Sequence, residues 1–123
     1  MFLNKTEVGV SNPNYYQGKK IILVNELTQS HSEFMAMKYQ AAPNTLIIGS
    51  TTAGTDGEAF RIALPGGIWT TFTGVGVYYP DGTETQRVGI IPDIEVKPSI
   101  KGIKEGRDEV LEKAIEIILQ DPT

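Results

Sequence analysis

The residues of this sequence with the clearest chemical potential lie in one hydroxyl-rich segment, TQSHSE at residues 28–33. An apolar stretch of strand length, KKIILV at residues 19–24, precedes it, and a pattern of helical spacing follows it. A turn from strand to helix can expose one serine, here Ser30, beside helix amides that lack partners and carry partial positive charge. With a base nearby, such a hydroxyl can attack a carbonyl group. Ser30 is therefore a candidate nucleophile for acyl transfer.

The same segment has a second interpretation, in which Ser30 only caps the helix that follows. Residues 30–33 match the S-x-x-E capping box. In that motif the serine hydroxyl accepts a hydrogen bond from the N–H of Glu33, and the glutamate carboxylate accepts one from the N–H of the serine. Local sequence alone favours this structural role, because short motifs of this kind match many sites that have no catalytic function. The place of Ser30 in the fold must decide between the two.

Apolar patterns predict the elements that position this segment. The strand at residues 19–24, a helix over residues 32–42 and a second apolar strand at residues 45–49 form a βαβ unit, whose strands are expected to be parallel. A loop rich in glycine and threonine follows at residues 50–57. Three further stretches then predict antiparallel hairpins attached to this core, at residues 58–64, 68–79 and 84–88.

The chain as a whole is predicted to be one α/β domain. A C-terminal helix over residues 108–120 has Val110, Ala114 and Ile118 on one face. Residues 1–18 form an irregular N-terminal segment with a short extended piece at residues 6–10, and residues 19–123 form the domain itself.

Composition excludes several classes of function. The 123 residues suffice for one core and are too few for two ordinary domains. The net charge of -4 and the lack of a basic stripe argue against binding of nucleic acid. With no cysteine and one histidine, the sequence predicts no disulfide, no metal site and no cofactor. It contains neither an apolar run long enough for a membrane span nor the pattern of a signal peptide.

Three segments resemble the C-terminal-processing (tail-specific) serine protease family. TQSHSE is similar to the family's (T/S)-A-S-A-S-E segment, and LIIGSTTAG at residues 46–54 looks like its V-V-G-x-x-T-x-G strand and loop. The most specific signature is YPDG at residues 79–82 followed by GIIPD at residues 89–93. The resemblance spans roughly residues 19–96, which correspond to the second half of the family's protease core.

The resemblance implies a crotonase/ClpP-like α/β core that hydrolyses peptide bonds without a cofactor. Ser30 takes the place of the family's nucleophile, and the backbone N–H of His31 takes that of one oxyanion donor. The implied substrate is a polypeptide, in some members recognised at its C-terminus. The implied location is the periplasm or cell envelope. The expected partner is the missing N-terminal part of the same protein, which would hold the first half of the core.

The sequence departs from the family pattern at the base. Thr55 stands where members with a serine–lysine dyad have their lysine, and threonine cannot take a proton from serine at neutral pH. Lys38 is more than two helical turns from Ser30. The side chain of His31 is expected to diverge from that of its neighbour, and Asp56 fits the chemistry of a turn. We therefore expect the base to lie outside this chain and the chain alone to be inactive.

Two other functions stay open on the sequence. The missing lysine favours a non-catalytic relative that binds an apolar ligand or a peptide, and binding unaffected by Ser30→Ala would support it. In a purely structural domain Ser30 is only the N-cap. Ser30→Ala would then cost about 1 kcal/mol of stability and change nothing else.

Overall fold

A computed structural model describes residues 12–120 of the chain. The extended piece predicted at residues 6–10 lies outside this range. The elements in chain order are β1 (Lys20–Val24), α1 (His31–Gln40), β2 (Thr45–Gly49), β3 (Glu58–Leu64), β4 (Ile68–Val75), β5 (Ile94–Glu95), α2 (Ile100–Lys104) and α3 (Glu109–Gln120).

The centre of the fold is a parallel sheet with the strand order β1-β2-β5. β1 and β2 pair along their full length, from Lys20 opposite Thr45 to Val24 opposite Gly49, and α1 makes the connection between them. β5 pairs in parallel with the end of β2. The predicted βαβ unit is therefore present, with α1 beginning one residue earlier and ending two residues earlier than expected.

The core forms where this sheet meets α1. Val24, Ala36, Ile47 and Ile90 are buried together, and Ile47 and Ile90 have no exposed surface. Both helices α1 and α3 contact β1 and β2. The apolar runs of β1 and β2 therefore have the continuous pattern expected of strands covered by other elements rather than by water.

Asp93 connects the sheet to the segment that leads into β5. Its carboxylate oxygen Oδ2 accepts a hydrogen bond from the N–H of Ile47 at 2.7 Å, and its own N–H donates to the carbonyl of Ile47 at 2.9 Å. The GIIPD segment is in this way attached to the middle of β2, close to the end of the strand that leads into the loop at residues 50–57.

The β3–β4 hairpin projects from this core. The two strands pair antiparallel, with Phe60 opposite Phe72 and their ring centroids 6.1 Å apart. Every residue of both strands is exposed, and the hairpin has no extensive contact with another described element. The pairing slips by one residue near its open end, because Ala59 lies opposite Thr73 while Glu58 lies opposite Val75. Gly74 is thus the extra residue of a β-bulge.

The second predicted hairpin does not form. The strand predicted to run to residue 79 ends at Val75, and residues 84–88 make only one bridge, between Tyr78 and Glu84. The N–H of Thr85 donates to the carbonyl of Val77 as part of this bridge, and the pairing ends soon after it because Arg87 has a left-handed φ of 67°. A residue with that φ cannot continue an extended strand.

The structure also contains a short helix, α2, that the sequence did not predict. α2 begins after Ser99, whose hydroxyl accepts a hydrogen bond from the N–H of Gly102 at 2.9 Å. Within residues 12–120, no helix has both the length and the apolar character needed to cross a membrane.

Candidate active site

Ser30 stands at the turn between β1 and α1 in an uncommon backbone conformation. Its φ is 53° and its ψ is −125°, although it is not a glycine. Backbone angles of this kind cost about 1–3 kcal/mol and persist only where the surroundings enforce them. The residue is exposed. A serine on a sharp strand-to-helix turn of this kind presents its hydroxyl to an incoming group.

The turn is built by Asn25 and Thr28. The side-chain oxygen of Asn25 accepts a hydrogen bond from the N–H of Leu27 at 3.0 Å, which is the bonding of an Asx-turn. The carbonyl of Asn25 accepts one from Thr28 at 2.9 Å, and the carbonyl of Thr28 accepts one from the N–H of Ala53 at 2.9 Å. The turn before Ser30 is thereby attached to the loop that follows β2.

The cap of α1 is made by the main chain and by Glu33. Both contacts of a capping box are present between Ser30 and Glu33, but only the Glu33 side reaches hydrogen-bond geometry. The Glu33 carboxylate accepts from the N–H of Ser30 at 2.9 Å, and the N–H groups of Glu33 and Phe34 donate to the carbonyl of Ser30 at 2.8 and 3.2 Å. The hydroxyl of Ser30 makes no cap hydrogen bond, which leaves it available for another role.

The backbone N–H of His31 is a free donor next to that hydroxyl. Ser32 donates its N–H to the carbonyl of Gln29 at 3.2 Å, whereas within residues 12–120 the N–H of His31 has no acceptor. An unpaired amide in the first turn of a helix can stabilise negative charge on a nearby oxygen. The predicted oxyanion donor is therefore an amide without an acceptor within residues 12–120, on the residue that follows Ser30.

Ser30 lies in a cleft of about 420 Å³ between the start of α1 and the base of the β3–β4 hairpin. Its apolar lining includes Phe34 from the helix and Val75 and Val77 from the other side. The polar residues that line it with Ser30 include His31, Asp56 and Glu58. An apolar cleft with a few polar groups is the usual form of a ligand site, so a substrate chain could approach the hydroxyl here.

Glu33 is fully buried and binds the loop that follows β2. In addition to Ser30, its carboxylate accepts hydrogen bonds from the hydroxyl of Thr52, the N–H of Gly54 and the N–H and hydroxyl of Thr55. Burial raises the pKa of Glu33, but these hydrogen bonds from Thr52, Gly54, Thr55 and Ser30 outweigh it and hold that pKa below its ordinary value. The sequence predicted only a capping role for Glu33, and the S-x-x-E spacing was the only signal for that role.

The other candidates for a base do not reach Ser30. Thr55 has both its N–H and its hydroxyl directed at Glu33. The Nζ atom of Lys38 lies 4.1 Å from the centroid of the Phe34 ring, in a cation–π contact on α1. In the described part of the chain, no hydrogen bond joins the hydroxyl of Ser30 to another side chain.

Asp56, which the sequence assigned to the chemistry of a turn, is buried. One carboxylate oxygen, Oδ1, accepts a hydrogen bond from the N–H of Gly57 at 2.8 Å, and Oδ2 has no partner. Burial of the carboxyl group is the main cause that raises the pKa of Asp56, and repulsion from Glu33 raises it further. The hydrogen bond from Gly57 and the attraction to His31 lower this pKa, but the net shift is upward. Two neighbouring carboxyl groups therefore have pKa values displaced in opposite directions.

Metal chemistry has no candidate site among residues 12–120, since no three metal-ligating side chains lie together there. The site consists of an exposed hydroxyl and an unpaired amide at an open cleft lined by Asp56, with Glu33 buried outside the cleft lining, and the hydroxyl and the amide are groups suited to acyl transfer.

Comparison with known proteins decides the family. The sequence profile of peptidase family S41 matches residues 3–96. The chain belongs to this family. This confirms the predicted resemblance, because S41 is the family of the C-terminal-processing proteases. No curated protein sequence matches the chain significantly.

Solved structures of S41 peptidases and similar proteins share the mixed α/β fold of this chain. A candidate peptidase from Parabacteroides merdae is 28% identical with a TM-score of 0.80 over 89% of this chain. Mature CPAF in complex with lactacystin is 25% identical with a TM-score of 0.76 over 89%. The photosystem II D1 C-terminal processing protease is 27% identical with a TM-score of 0.57 over 67%. The S41 chain spans only 34%, 22% and 21% of the lengths of these three proteins.

Proposed function

We propose that this S41 chain is the C-terminal part of the catalytic domain of a serine endopeptidase, with Ser30 as the nucleophile. The observation that carries the proposal is the backbone of Ser30, with φ 53° and ψ −125°, at an exposed position in the cleft. A hydroxyl that served only as an N-cap would accept a hydrogen bond from the helix, and this one does not.

The proposed reaction assigns each group of the site one role. The Oγ atom of Ser30 attacks a peptide carbonyl, and its proton passes to a base. The N–H of His31 donates to the oxyanion that forms, and the leaving amine then takes the proton from the base. Water hydrolyses the resulting acyl-enzyme through the same groups. The substrate is a polypeptide, and family resemblance points to its C-terminal region.

We place the base and a second oxyanion donor in a preceding part of the same protein. Three observations support this. The residue at the position of the family's lysine, Thr55, is hydrogen-bonded to Glu33. The chain spans about a third or less of each related structure. Apolar side chains of the hairpin and of α3 are exposed, among them Ile68, Trp69 and Leu119. On the family resemblance alone, we also assign a crotonase-like core and a periplasmic or envelope location.

Covalent labelling with a fluorophosphonate tests the proposal. The protein extended by its N-terminal part should be labelled at Ser30, and labelling should disappear with Ser30→Ala. Ser32→Ala is the matched control, because Ser32 is an exposed serine in the same turn and should not affect labelling. The chain of 123 residues alone should not react. Failure of the extended, folded protein to react would refute the catalytic role.

A second function is favoured by the state of Thr55. Because both of its donors are bonded to Glu33, this position offers no group that could act in proton transfer. A non-catalytic S41 relative could use the same cleft to bind a peptide or an apolar ligand. In that case the extended protein would not react with a fluorophosphonate, and saturable peptide binding would be unchanged by Ser30→Ala.

A further inference from the structure

Glu33 is the most completely buried acidic group of the described chain, and it has no cationic partner there. Its exposed fraction is 0%, and no ion pair in residues 12–120 includes it. A buried carboxylate without a counter-charge is costly unless hydrogen bonds satisfy it. The hydrogen bonds to Glu33 therefore allow a charged carboxylate to be buried here. Their donors show which parts of the chain Glu33 holds in place.

The two oxygens of the carboxylate bind different sets of donors. Oε2 accepts from the N–H of Ser30 at 2.9 Å and the N–H of Thr55 at 2.8 Å. Oε1 accepts from the N–H of Gly54 at 2.7 Å and the hydroxyl of Thr52 at 2.5 Å. Glu33 thus binds three main-chain amides, those of Ser30, Gly54 and Thr55, which we call the Glu33-bound amides. They come from two separate segments of the chain.

The network extends to a third segment through Thr52. While its hydroxyl donates to Glu33, the same oxygen accepts a hydrogen bond from the N–H of Ile90 at 2.8 Å. The carbonyl of Gly54 in addition accepts from the N–H of Arg87 at 2.7 Å. Two of the three segments that carry the family resemblance therefore meet at one carboxylate, and the third is joined to it through Thr52.

Ser30 is held on both sides of its α-carbon by this arrangement. Its N–H is bound by the side chain of Glu33, and its carbonyl accepts the N–H groups of Glu33 and Phe34. The same carboxylate accepts the N–H groups of Gly54 and Thr55, so the backbone of Ser30 is fixed relative to the loop that follows β2. We propose that Glu33 is a positioning residue, whose carboxylate holds the nucleophile Ser30 in its left-handed, exposed conformation. This inference rests on the proposed function for its catalytic meaning but not for its structural test.

Asp56 cannot take over this role. It lies near Glu33, yet it binds only the N–H of Gly57, and its other oxygen has no partner. The charged groups that influence the pKa of Asp56 are Glu33, which raises it, and His31, which lowers it. Only one of the two neighbouring carboxyl groups therefore reaches the amide of the nucleophile.

Glu33→Gln is the decisive variant because it keeps the shape and removes one acceptor. Whichever way the amide is turned, its NH₂ group faces at least one of the Glu33-bound amides, which is a donor too. Thr52→Val is the matched control, since it removes two hydrogen bonds of the same network, those to Glu33 and from Ile90, and leaves the bond between Ser30 and Glu33 intact. Both variants should lower the unfolding temperature.

The readouts separate positioning from stability. In a crystal structure of Glu33→Gln, or in its amide–α-proton coupling by NMR, Ser30 should leave the left-handed region, whereas in Thr52→Val it should not. In the extended protein, Glu33→Gln should reduce the rate of fluorophosphonate labelling by about 100-fold, as misplacement of a reacting group does. Thr52→Val should change that rate little below its unfolding temperature.

If Glu33→Gln fails to fold, the unsubstituted chain gives the answer by NMR. The three Glu33-bound amides should titrate together with one midpoint below the ordinary glutamate value of about 4.3. The N–H of Gly57, bound to Asp56, should follow a separate and higher midpoint. Independent midpoints for the three amides, or an unchanged Ser30 conformation in Glu33→Gln, would overturn the inference. Absence of labelling in the unsubstituted extended protein would instead refute the proposed function and leave these conformational results valid.

Discussion

The loop at residues 50–57 and the β3–β4 hairpin that follows it are stabilised in different ways. The loop has buried polar groups, such as Thr52 and Asp56, and most of its contacts are hydrogen bonds to Glu33 and to the GIIPD segment. The hairpin has exposed apolar side chains, and its contacts are mainly within itself. The loop is thus held by polar contacts with other parts of the described chain, whereas the hairpin leaves apolar side chains exposed, as surfaces that bind a partner do.

The largest difference in stability between the two regions should appear when one threonine in each is replaced by valine, which has the same shape but is apolar. Thr52→Val removes a hydrogen bond to a charged group and the acceptor for the N–H of Ile90, so it should cost about 2–3 kcal/mol. Thr70→Val on exposed β4 should stay within about 0.5 kcal/mol. Equilibrium denaturation in urea measures both. Equal costs would show that the loop is not held by this network.

Two glycines with left-handed φ sharpen the comparison at the level of the backbone. Gly54 has φ +68°, and a Cβ there would lie 3.0 Å from the carbonyl carbon of Arg87, whereas Gly66 in the hairpin turn has φ +87° and nothing within 4 Å. Alanine at either position should cost about 1–2 kcal/mol of backbone strain. Gly54→Ala should lose at least about 1 kcal/mol more by thermal unfolding. Similar losses would contradict the close approach of the loop to Arg87.

A smaller effect should appear in the dependence of stability on pH. The lowered pKa of Glu33 stabilises the fold above the unfolded value of about 4.3, and this contribution is lost as the pH falls through the folded pKa. The raised pKa of Asp56 acts in the opposite direction: stability falls as the pH rises from the unfolded value of about 3.9 through the folded pKa.

Asp56→Asn isolates the second contribution. The variant keeps an acceptor for the N–H of Gly57 and removes the charge, so its stability relative to the unsubstituted chain should be greater at pH 7 than at pH 3.5. Urea denaturation at the two pH values measures the difference. A difference of zero would mean that Asp56 is not desolvated in the folded chain.

The smallest effect on this chain should come from the apolar face of the hairpin. Ile68 is 61% exposed, so Ile68→Ser should change the stability of the chain by no more than about 0.5 kcal/mol. The same substitution should reduce binding of an apolar fluorescent dye. In the extended protein it should cost more than in this chain, because the proposed N-terminal part would cover the face. The same small cost in both would argue against such a cover.

The elements that the sequence predicted well are those with strong apolar patterns. The bounds of β2 and β3 agree with the prediction, and β1 differs by one residue, because continuous or alternating apolar residues leave few other arrangements. The stretch at residues 84–88 has four polar residues and one valine, so no apolar pattern supported its predicted pairing, and the left-handed φ of Arg87 ends that pairing after one bridge.

The candidate site could be predicted only in part. The place of Ser30 could be found from its motif and from the turn between a strand and a helix. The role of Glu33 could not, because its partners Gly54 and Thr55 lie 21 and 22 residues further along the chain. The burial of Asp56 was missed for a similar reason: its surroundings depend on α1 and on the hairpin, and not on its neighbours in sequence.

The β-bulge at Gly74 determines which side chains at the end of β4 face the cleft. Successive residues of a strand alternate between two faces, so one extra residue reverses the alternation beyond it. Deleting the single codon for Gly74 would leave Val75 opposite Glu58 and would remove the bend and the extra twist that the bulge gives to the end of β4. A frame-preserving deletion of this kind, which alters no residue of the cleft, would remodel its wall.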